Sequence, residues 1–142
     1  MTTVAALLDS LAQRMHEQGV ATFAPDAVYP PTVTAPAVYF GQLFDSPDHA
    51  VAINHYWTGP DTFTQQHHPL MRVQLRWRGT NDPRVVHALA DAGFDALHTL
   101  TPGIWPGGLQ PLWVQRTIVA PIEPDQNGRW MRADSYEIRL NP

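Results

Sequence analysis

The sequence predicts an α+β domain in which two helices pack on one face of a mixed or antiparallel β-sheet of about four to five strands. Three observations predict this fold. Residues 71–78 alternate strictly between apolar and polar side chains, which indicates a strand with one buried face. Two other segments carry apolar residues at helical spacing. The elements follow one another as helix, three strands, helix and two strands, an order that favours helices on one side of a single sheet.

The first helix is predicted over residues 4–18. The Thr3 side chain can cap its N-terminus, and Gly19 takes the position just beyond its C-terminus. The apolar residues recur at spacings of three and four and form one stripe, made of Val4, Leu7, Leu8, Leu11 and Met15. We expect this helix to contribute to the core and to carry no functional site.

Residues 20–36 are predicted to form an ordered, proline-rich arm that lies on the domain or on a neighbouring subunit, because their prolines prevent regular strand pairing. A short strand follows at 37–41. Turn-forming residues at 45–48 then connect it to a second strand at 49–57, which predicts a hairpin-like pair. Residues 58–69 are polar and are expected to form an exposed loop.

The alternating strand at 71–78 is expected to be central in the sheet. Asp82 and Pro83 read as the cap and first residue of a second helix, which is predicted to run to about residue 100. Its apolar stripe comprises Val86, Leu89, Ala90, Gly93, Phe94, Leu97 and Leu100. A glycine costs about 1 kcal/mol of helix propensity against alanine, so Gly93 on this stripe indicates close packing against the sheet.

Two further strands are predicted at residues 112–119 and 130–140. Between them, the Asp-Gln-Asn-Gly sequence at 125–128 is typical of a tight turn. In the last strand Tyr136, Ile138 and Leu140 are expected to face the core, and Ser135, Glu137 and Arg139 to face outward. No internal repeat or low-complexity tract occurs, so residues 1–142 are interpreted as one domain.

The composition excludes several classes of function. The chain has no cysteine, which removes disulfides, zinc–thiolate sites and cysteine nucleophiles. It has no run of about 18 apolar residues and no signal-peptide pattern, so we expect neither a membrane span nor export by that route. All nine basic residues are arginine, against thirteen acids, and the net charge is −4. A protein that bound nucleic acid over its whole surface would normally be basic.

Catalytic patterns are missing from the sequence. The serines lie in no Gly-x-Ser-x-Gly elbow, and the glycines form no phosphate-binding loop. The carboxylate pairs Asp45/Asp48 and Asp91/Asp95 resemble turn and helix-surface residues. A metal site could use His87, Asp91 and His98 of the second helix or His67 and His68 of the loop, but their spacing matches no known zinc motif. A solvated helix face also explains the residues of the helix. We therefore expect no enzyme activity, no cofactor and no metal.

The polar row of the central strand is the main functional hint. It comprises Arg72, Gln74, Arg76 and Arg78. Arginine offers a planar set of donors and is enriched at protein interfaces, but a solvated or salt-bridged sheet face explains the row alone equally well. Fourteen prolines and five tryptophans suggest rigid loops and large contact residues, which fits a protein that docks on other proteins.

Taken in order, the segments resemble the tail terminator or "minor capsid" proteins of long-tailed actinobacteriophages over nearly the whole chain. The resemblance is carried by the segment 70–79, by Asp82-Pro83, by residues 89–91 and 94–98, by Pro121, by Asp125 with Asn127-Gly128-Arg129, and by the strand containing Tyr136. Gly19-Val20 and residues 45–52 also match. Ser135 stands where the family pattern has asparagine, and the polar residues 65–68 differ.

The resemblance implies a small α/β subunit that assembles as a homohexameric ring on the head-proximal end of the tail tube. The ring would stop tube polymerisation and present a surface to the head–tail connector, without catalysis. The implied partners are other copies of the chain, the tail tube protein and the connector or stopper protein, with DNA only passing through the lumen and no membrane involved. The implied location is the neck of the virion, after assembly in the host cytoplasm.

A ring requires two different patches that meet on neighbouring subunits. We expect the row at Arg72, Gln74, Arg76 and Arg78 to form one patch. Its partner should be acidic, with Glu123 and Asp125 as candidates, and Arg129 belongs to the same predicted interface. Two alternatives stay open: a head-completion or connector protein of the same virion, and a small histidine-dependent metalloenzyme.

Overall fold

The computed structural model describes residues 3–63 and 67–141. Residues 64–66 of the predicted 58–69 loop therefore lie outside the described residues. Within these ranges the sheet and the helices that cover it comprise α1 (Val4–Glu17), β1 (Ala37–Phe40), β2 (Ala50–Thr58), β3 (Leu70–Arg78), α2 (Pro83–Leu97), β4 (Gln110–Val119), β5 (Glu123–Pro124) and β6 (Trp130–Asn141). The α+β prediction is confirmed, with one short strand more than expected.

The strands form one mixed sheet in the order β1-β2-β3-β6-β4, with the two-residue β5 also paired to β6. Strand β3 is central, as its alternation predicted, and it pairs antiparallel with both β2 and β6. Strand β1, however, runs parallel to β2, with Ala37 opposite Ala50 and Phe40 opposite Ile53. The predicted hairpin-like pair is therefore wrong. Residues 41–49 carry the chain back to the level at which β1 begins, so β2 runs in the same direction as β1.

One face of the sheet packs against both helices and forms the core. Its buried side chains come from every long strand, among them Ile53, Leu75, Val114 and Ile138. Gly93 of α2 lies against Trp77, and a Cβ added at this glycine would come within 2.4 Å of the Trp77 ring. The predicted close approach of α2 to the sheet is thus confirmed. Tyr136, Ile138 and Leu140 face this core, also as predicted.

The helix termini follow their sequence signals. The Thr3 hydroxyl accepts from the Ala6 N–H at 3.1 Å, and Gly19 has a φ of 73° just beyond the end of α1. Helix α2 begins at Pro83 after the Asp82 cap, but it ends at Leu97 and not near residue 100. The reason is that Thr99 exchanges backbone hydrogen bonds with Val114 of β4. Leu100, predicted to be buried, is 83% exposed.

Both edges of the sheet are partly covered by the same chain. On β4, Val114 exchanges backbone hydrogen bonds with Thr99, and the N–H of Arg116 is accepted by Nδ1 of His98 at 3.0 Å. On β1, Thr22 bridges to Ala37. These contacts occupy backbone groups that the edge strands would otherwise present to solvent.

The proline-rich segment 20–36 packs against β1. The Tyr29 hydroxyl donates to the Val38 carbonyl at 2.6 Å, and its ring meets Tyr39 edge-on with centroids 5.3 Å apart. Val28 in this segment is 70% exposed. None of the helices in the described ranges is long and apolar enough to cross a membrane.

Candidate interaction surface

The face of the sheet opposite the helices, called the outer face below, carries the polar row of β3. Register places Arg72 between Trp57 of β2 and Glu137 of β6, and Gln115 of β4 lies beyond Glu137. The next residues on the same face are Leu70, Arg139 and Trp113. Each of these two rows across the sheet therefore contains one arginine beside one tryptophan, residue types that are enriched at protein interfaces.

Arg72 is firmly held in this arrangement. Its Nε donates to Oε2 of Glu137 at 2.9 Å, and its guanidinium carbon lies 4.2 Å from the centre of the Trp57 ring. Gln115 donates to the other Glu137 oxygen at 3.2 Å. Stacking and ion pairing together fix the guanidinium plane, so the flat aromatic and cationic surface is preformed.

Arg139 forms a second, looser arginine–tryptophan contact on the outer face. Its guanidinium carbon is 6.0 Å from the Trp113 ring centre, and it donates to the His68 carbonyl at 2.8 Å. No carboxylate in the described part of the chain forms an ion pair with Arg139, so this side chain is available to a carboxylate of a partner.

Arg76 is the least satisfied arginine of the predicted row. Its contact with Glu123 is 3.5 Å long, and the two side chains are 38% and 65% exposed. An exposed pair of this kind contributes little to stability. Next to it lies a shallow cleft, lined by Gln74, Arg76, Ala120, Pro121, Ile122, Glu123, Met131 and Ala133. The structure thus places Glu123 next to the polar row of β3, but in the same subunit and not across a contact between subunits.

The predicted role of Arg78 in the interface is not supported by its position. It ends the alternating row, yet only 3% of it is exposed because residues 41–48 fold over it. Its guanidinium donates to the backbone carbonyls of Phe44, Pro47 and Asp48 at 2.6, 2.7 and 2.9 Å. Burial and the nearby charge of Arg129 lower the pKa of Arg78. This residue holds a loop inside the subunit and has no surface left for a partner.

Asp125 and Arg129 also satisfy each other within the chain. Arg129 lies among three carboxylates, with contacts of 2.8 Å to Asp125 and 3.1 Å to both Asp45 and Asp48. Partial burial acts to raise the pKa of Asp125, but the N–H groups of Arg129 and Asn127 and the Arg129 guanidinium outweigh it, so the pKa is lowered. The cluster closes the β5–β6 turn against residues 45–48 and lies away from the outer-face tryptophans.

Sequence reasoning missed Trp57 and Trp113 on the outer face. Simple alternation from Val51 and Ile53 would place Trp57 on the core side, but an irregularity at Tyr56 shifts the register by one residue. A similar shift at Leu112 turns Trp113 outward. Glu137 and Arg139 were predicted to face outward, and their period of two did provide that signal.

His87 and Asp91 of α2 bind a buried arginine, and His98, just beyond the end of this helix, binds the edge of the sheet. Arg132, 4% exposed, donates to Nδ1 of His87 at 3.0 Å and to Asp91 at 2.8 Å. It also pairs with the fully buried Asp134, whose carboxylate is shared with Arg116. Although burial acts to lower the pKa of Arg132, the two carboxylates outweigh it and the pKa is raised. Within residues 3–63 and 67–141, no three histidine or acidic side chains converge to hold a metal.

Comparison with known proteins gives a family match. The family model for bacteriophage tail terminator proteins matches residues 14–142. A chain in the solved structure of the virion of a native gene transfer agent particle shares the fold, with a TM-score of 0.59 and 10% identity over 100% of both chains. A search of curated proteins finds no significant match.

Proposed function

Because this chain belongs to the bacteriophage tail terminator family, we propose that it forms a ring on the head-proximal end of a phage tail tube. There it stops tube polymerisation and provides the joint to the head–tail connector. The observation that carries the proposal is the family match over residues 14–142, and the fold shared with a virion component supports it. The protein acts as a structural part of the virion neck and performs no chemistry.

The ring consists of copies of this chain, six in number by the resemblance of the sequence to the family. Two different surfaces meet at each contact, since only a heterologous contact closes into a ring beyond a dimer. We propose that the outer face, with Arg72, Gln74 and Arg76, supplies one of them. Its preformed arginine–tryptophan surface supports this choice. Tail tube protein and connector contact the two ends of the ring.

DNA passes through the lumen of this ring without specific binding. The subunit carries a net charge of −4, which disfavours adhesion to phosphate. The protein is therefore a conduit for DNA and not a DNA-binding protein.

Electron microscopy of particles assembled without this gene product tests the function. Overlong, headless tails beside filled heads are expected, because nothing would end the tube or make it joinable. Tails of normal length next to unjoined or leaking heads would assign the protein to head completion instead. Complete, infectious virions would refute a structural role.

Charge reversal tests the outer face separately. Arg76→Glu is expected to prevent ring formation, because Arg76 is an exposed cation with only a loose partner. Circular dichroism must show an intact fold in the variant. Normal rings in Arg76→Glu particles would exclude this arginine from the contact between subunits.

A further inference from the structure

The two surfaces on either side of the subunit have opposite character. The outer face carries Arg72, Arg76 and Arg139, with Glu123 and Glu137 as its acids. The solvent side of the two helices, called the helix face below, carries four acids, namely Asp9, Glu17, Asp91 and Asp95. The arginines of these helices already have partners: Arg14 lies over the Trp105 ring, and Arg84 forms an ion pair with Asp82.

The unpaired charges on the two faces complement each other. On the outer face Arg76 has only the loose Glu123 contact at 3.5 Å. On the helix face Glu17 and Asp95 are exposed and make no ion pair or side-chain hydrogen bond with any residue in the described ranges. Each face therefore offers charges that its own subunit leaves uncompensated.

The shapes of the two faces allow close contact. Helix α2 exposes Ala88 and Ala92 beside its acids, and α1 exposes Ala5 and Ala6. Small side chains permit a partner to approach the helix surface. On the outer face, the cleft next to Arg76 has room for an incoming side chain above Ala133.

The edges of the sheet are poorly suited to backbone pairing between copies. Thr99 and His98 already bind N–H groups along β4, and β1 is four residues long and bridged by Thr22. The faces of the domain are therefore better suited than its edges to contacts between subunits.

We propose that the outer face of one copy docks on the helix face of a second copy, with Arg76 next to Asp95. This inference rests on the proposed ring. It places on the helix face the acidic patch that the arginine row requires, since Glu123 and Asp125 are paired within their own subunit. The arrangement is heterologous: each copy contributes its sheet side to one neighbour and its helix side to the other. Such a contact repeats around a closed ring.

Cross-linking in assembled particles tests the contact directly, because the chain has no cysteine of its own. Ala133 lies opposite Arg76 on the outer face, and Ala92 lies one helical turn before Asp95. Particles carrying Ala133→Cys together with Ala92→Cys, treated with a short bismaleimide, should give a ladder of covalent oligomers. Each single variant, and the matched pair Ala133→Cys with Thr34→Cys, should stay monomeric on the denaturing gel.

The same particles separate failure of the contact from failure of the function. Tails of normal length that contain the double-cysteine protein but give no ladder would overturn face-to-face docking and leave the ring function intact. Tails of normal length in particles assembled without the protein, or wild-type virions that do not contain it, would count against the function itself.

A charge exchange gives an independent measurement of the same contact. Arg76→Glu and Asp95→Arg, introduced separately, should each reduce the ring fraction about tenfold, since each brings like charges together. A mixture of the two variants should restore rings, because copies carrying Arg76→Glu that alternate with copies carrying Asp95→Arg have opposite charges at every contact. Asp26→Arg, which reverses an exposed acid outside both faces, should form rings by itself and, in a mixture, leave the Arg76→Glu copies outside those rings. Absence of rescue in folded variants would refute the pairing.

Discussion

Replacement of Gly93 by alanine measures how tightly α2 is seated on the sheet. Alanine is favoured over glycine inside a helix by about 1 kcal/mol. The added Cβ, however, would lie 2.4 Å from Cζ2 and 2.8 Å from Cη2 of Trp77. Carbon atoms prefer separations of about 3.5–4.0 Å, so the helix or the ring must move by about 1 Å.

The clash is expected to outweigh the gain in helix propensity. Trp77 is fully buried, and since protein interiors are closely packed, its ring can move little without displacing its neighbours. Overpacking of a core costs about 1–3 kcal/mol, and a displacement of this size belongs at the upper end. The net destabilisation should be about 2 kcal/mol, equivalent to a fall in Tm of about 8 °C for a domain of this length.

Urea denaturation followed by circular dichroism provides the assay. Ala88→Gly, at an exposed position of the same helix, calibrates the propensity term and should cost about 1 kcal/mol. Trp77→Phe removes the two clashing atoms, so the double variant with Gly93→Ala should be more stable than the sum of the single effects. A Gly93→Ala protein as stable as wild type would show that the close packing of helix and ring is incorrect.

Three further predictions concern the loops and the core. Arg78→Met should lower the free energy of unfolding by about 2–3 kcal/mol in urea titrations, because it removes charged donors from three carbonyls. The pKa of Asp125 is lowered in the folded protein, so its stabilisation is present above the unfolded value near 4 and is lost as the pH falls; Asp125→Asn should flatten the acid side of the Tm–pH curve. Burial raises the pKa of Tyr136, so above about pH 10 the unfolded chain loses a proton that the native chain keeps, and stability falls with pH. Tyr136→Phe should weaken that decline in alkaline thermal melts.

The elements with a regular period could be predicted from sequence. Strand β3 and helix α1 have apolar residues at a regular spacing. Residues with clear breaking or capping roles bound them, such as Pro69 before β3 and Gly19 after α1. Gly93 was informative because an unfavourable residue on an apolar stripe has few explanations other than close packing. In each case the signal is local.

The features that were predicted wrongly or missed depend on contacts between residues distant in sequence. The direction of β1 relative to β2 follows from how residues 41–49 return, which Arg78 stabilises from a strand about thirty residues later. Irregularities at Tyr56 and Leu112 decide which face Trp57 and Trp113 occupy, and no residue type marks them. The outer face was therefore predicted with its arginines from β3 but without its tryptophans.

Arg78 places little restriction on the residue types of the 41–48 loop. It binds main-chain carbonyls, which every residue possesses, and no side chain of the loop. Phe44, 49% exposed, can be replaced without loss of these hydrogen bonds. Asp45 and Asp48 are restricted because they pair with Arg129, but the other exposed positions of the loop can fit different neighbours while the sheet beneath stays the same.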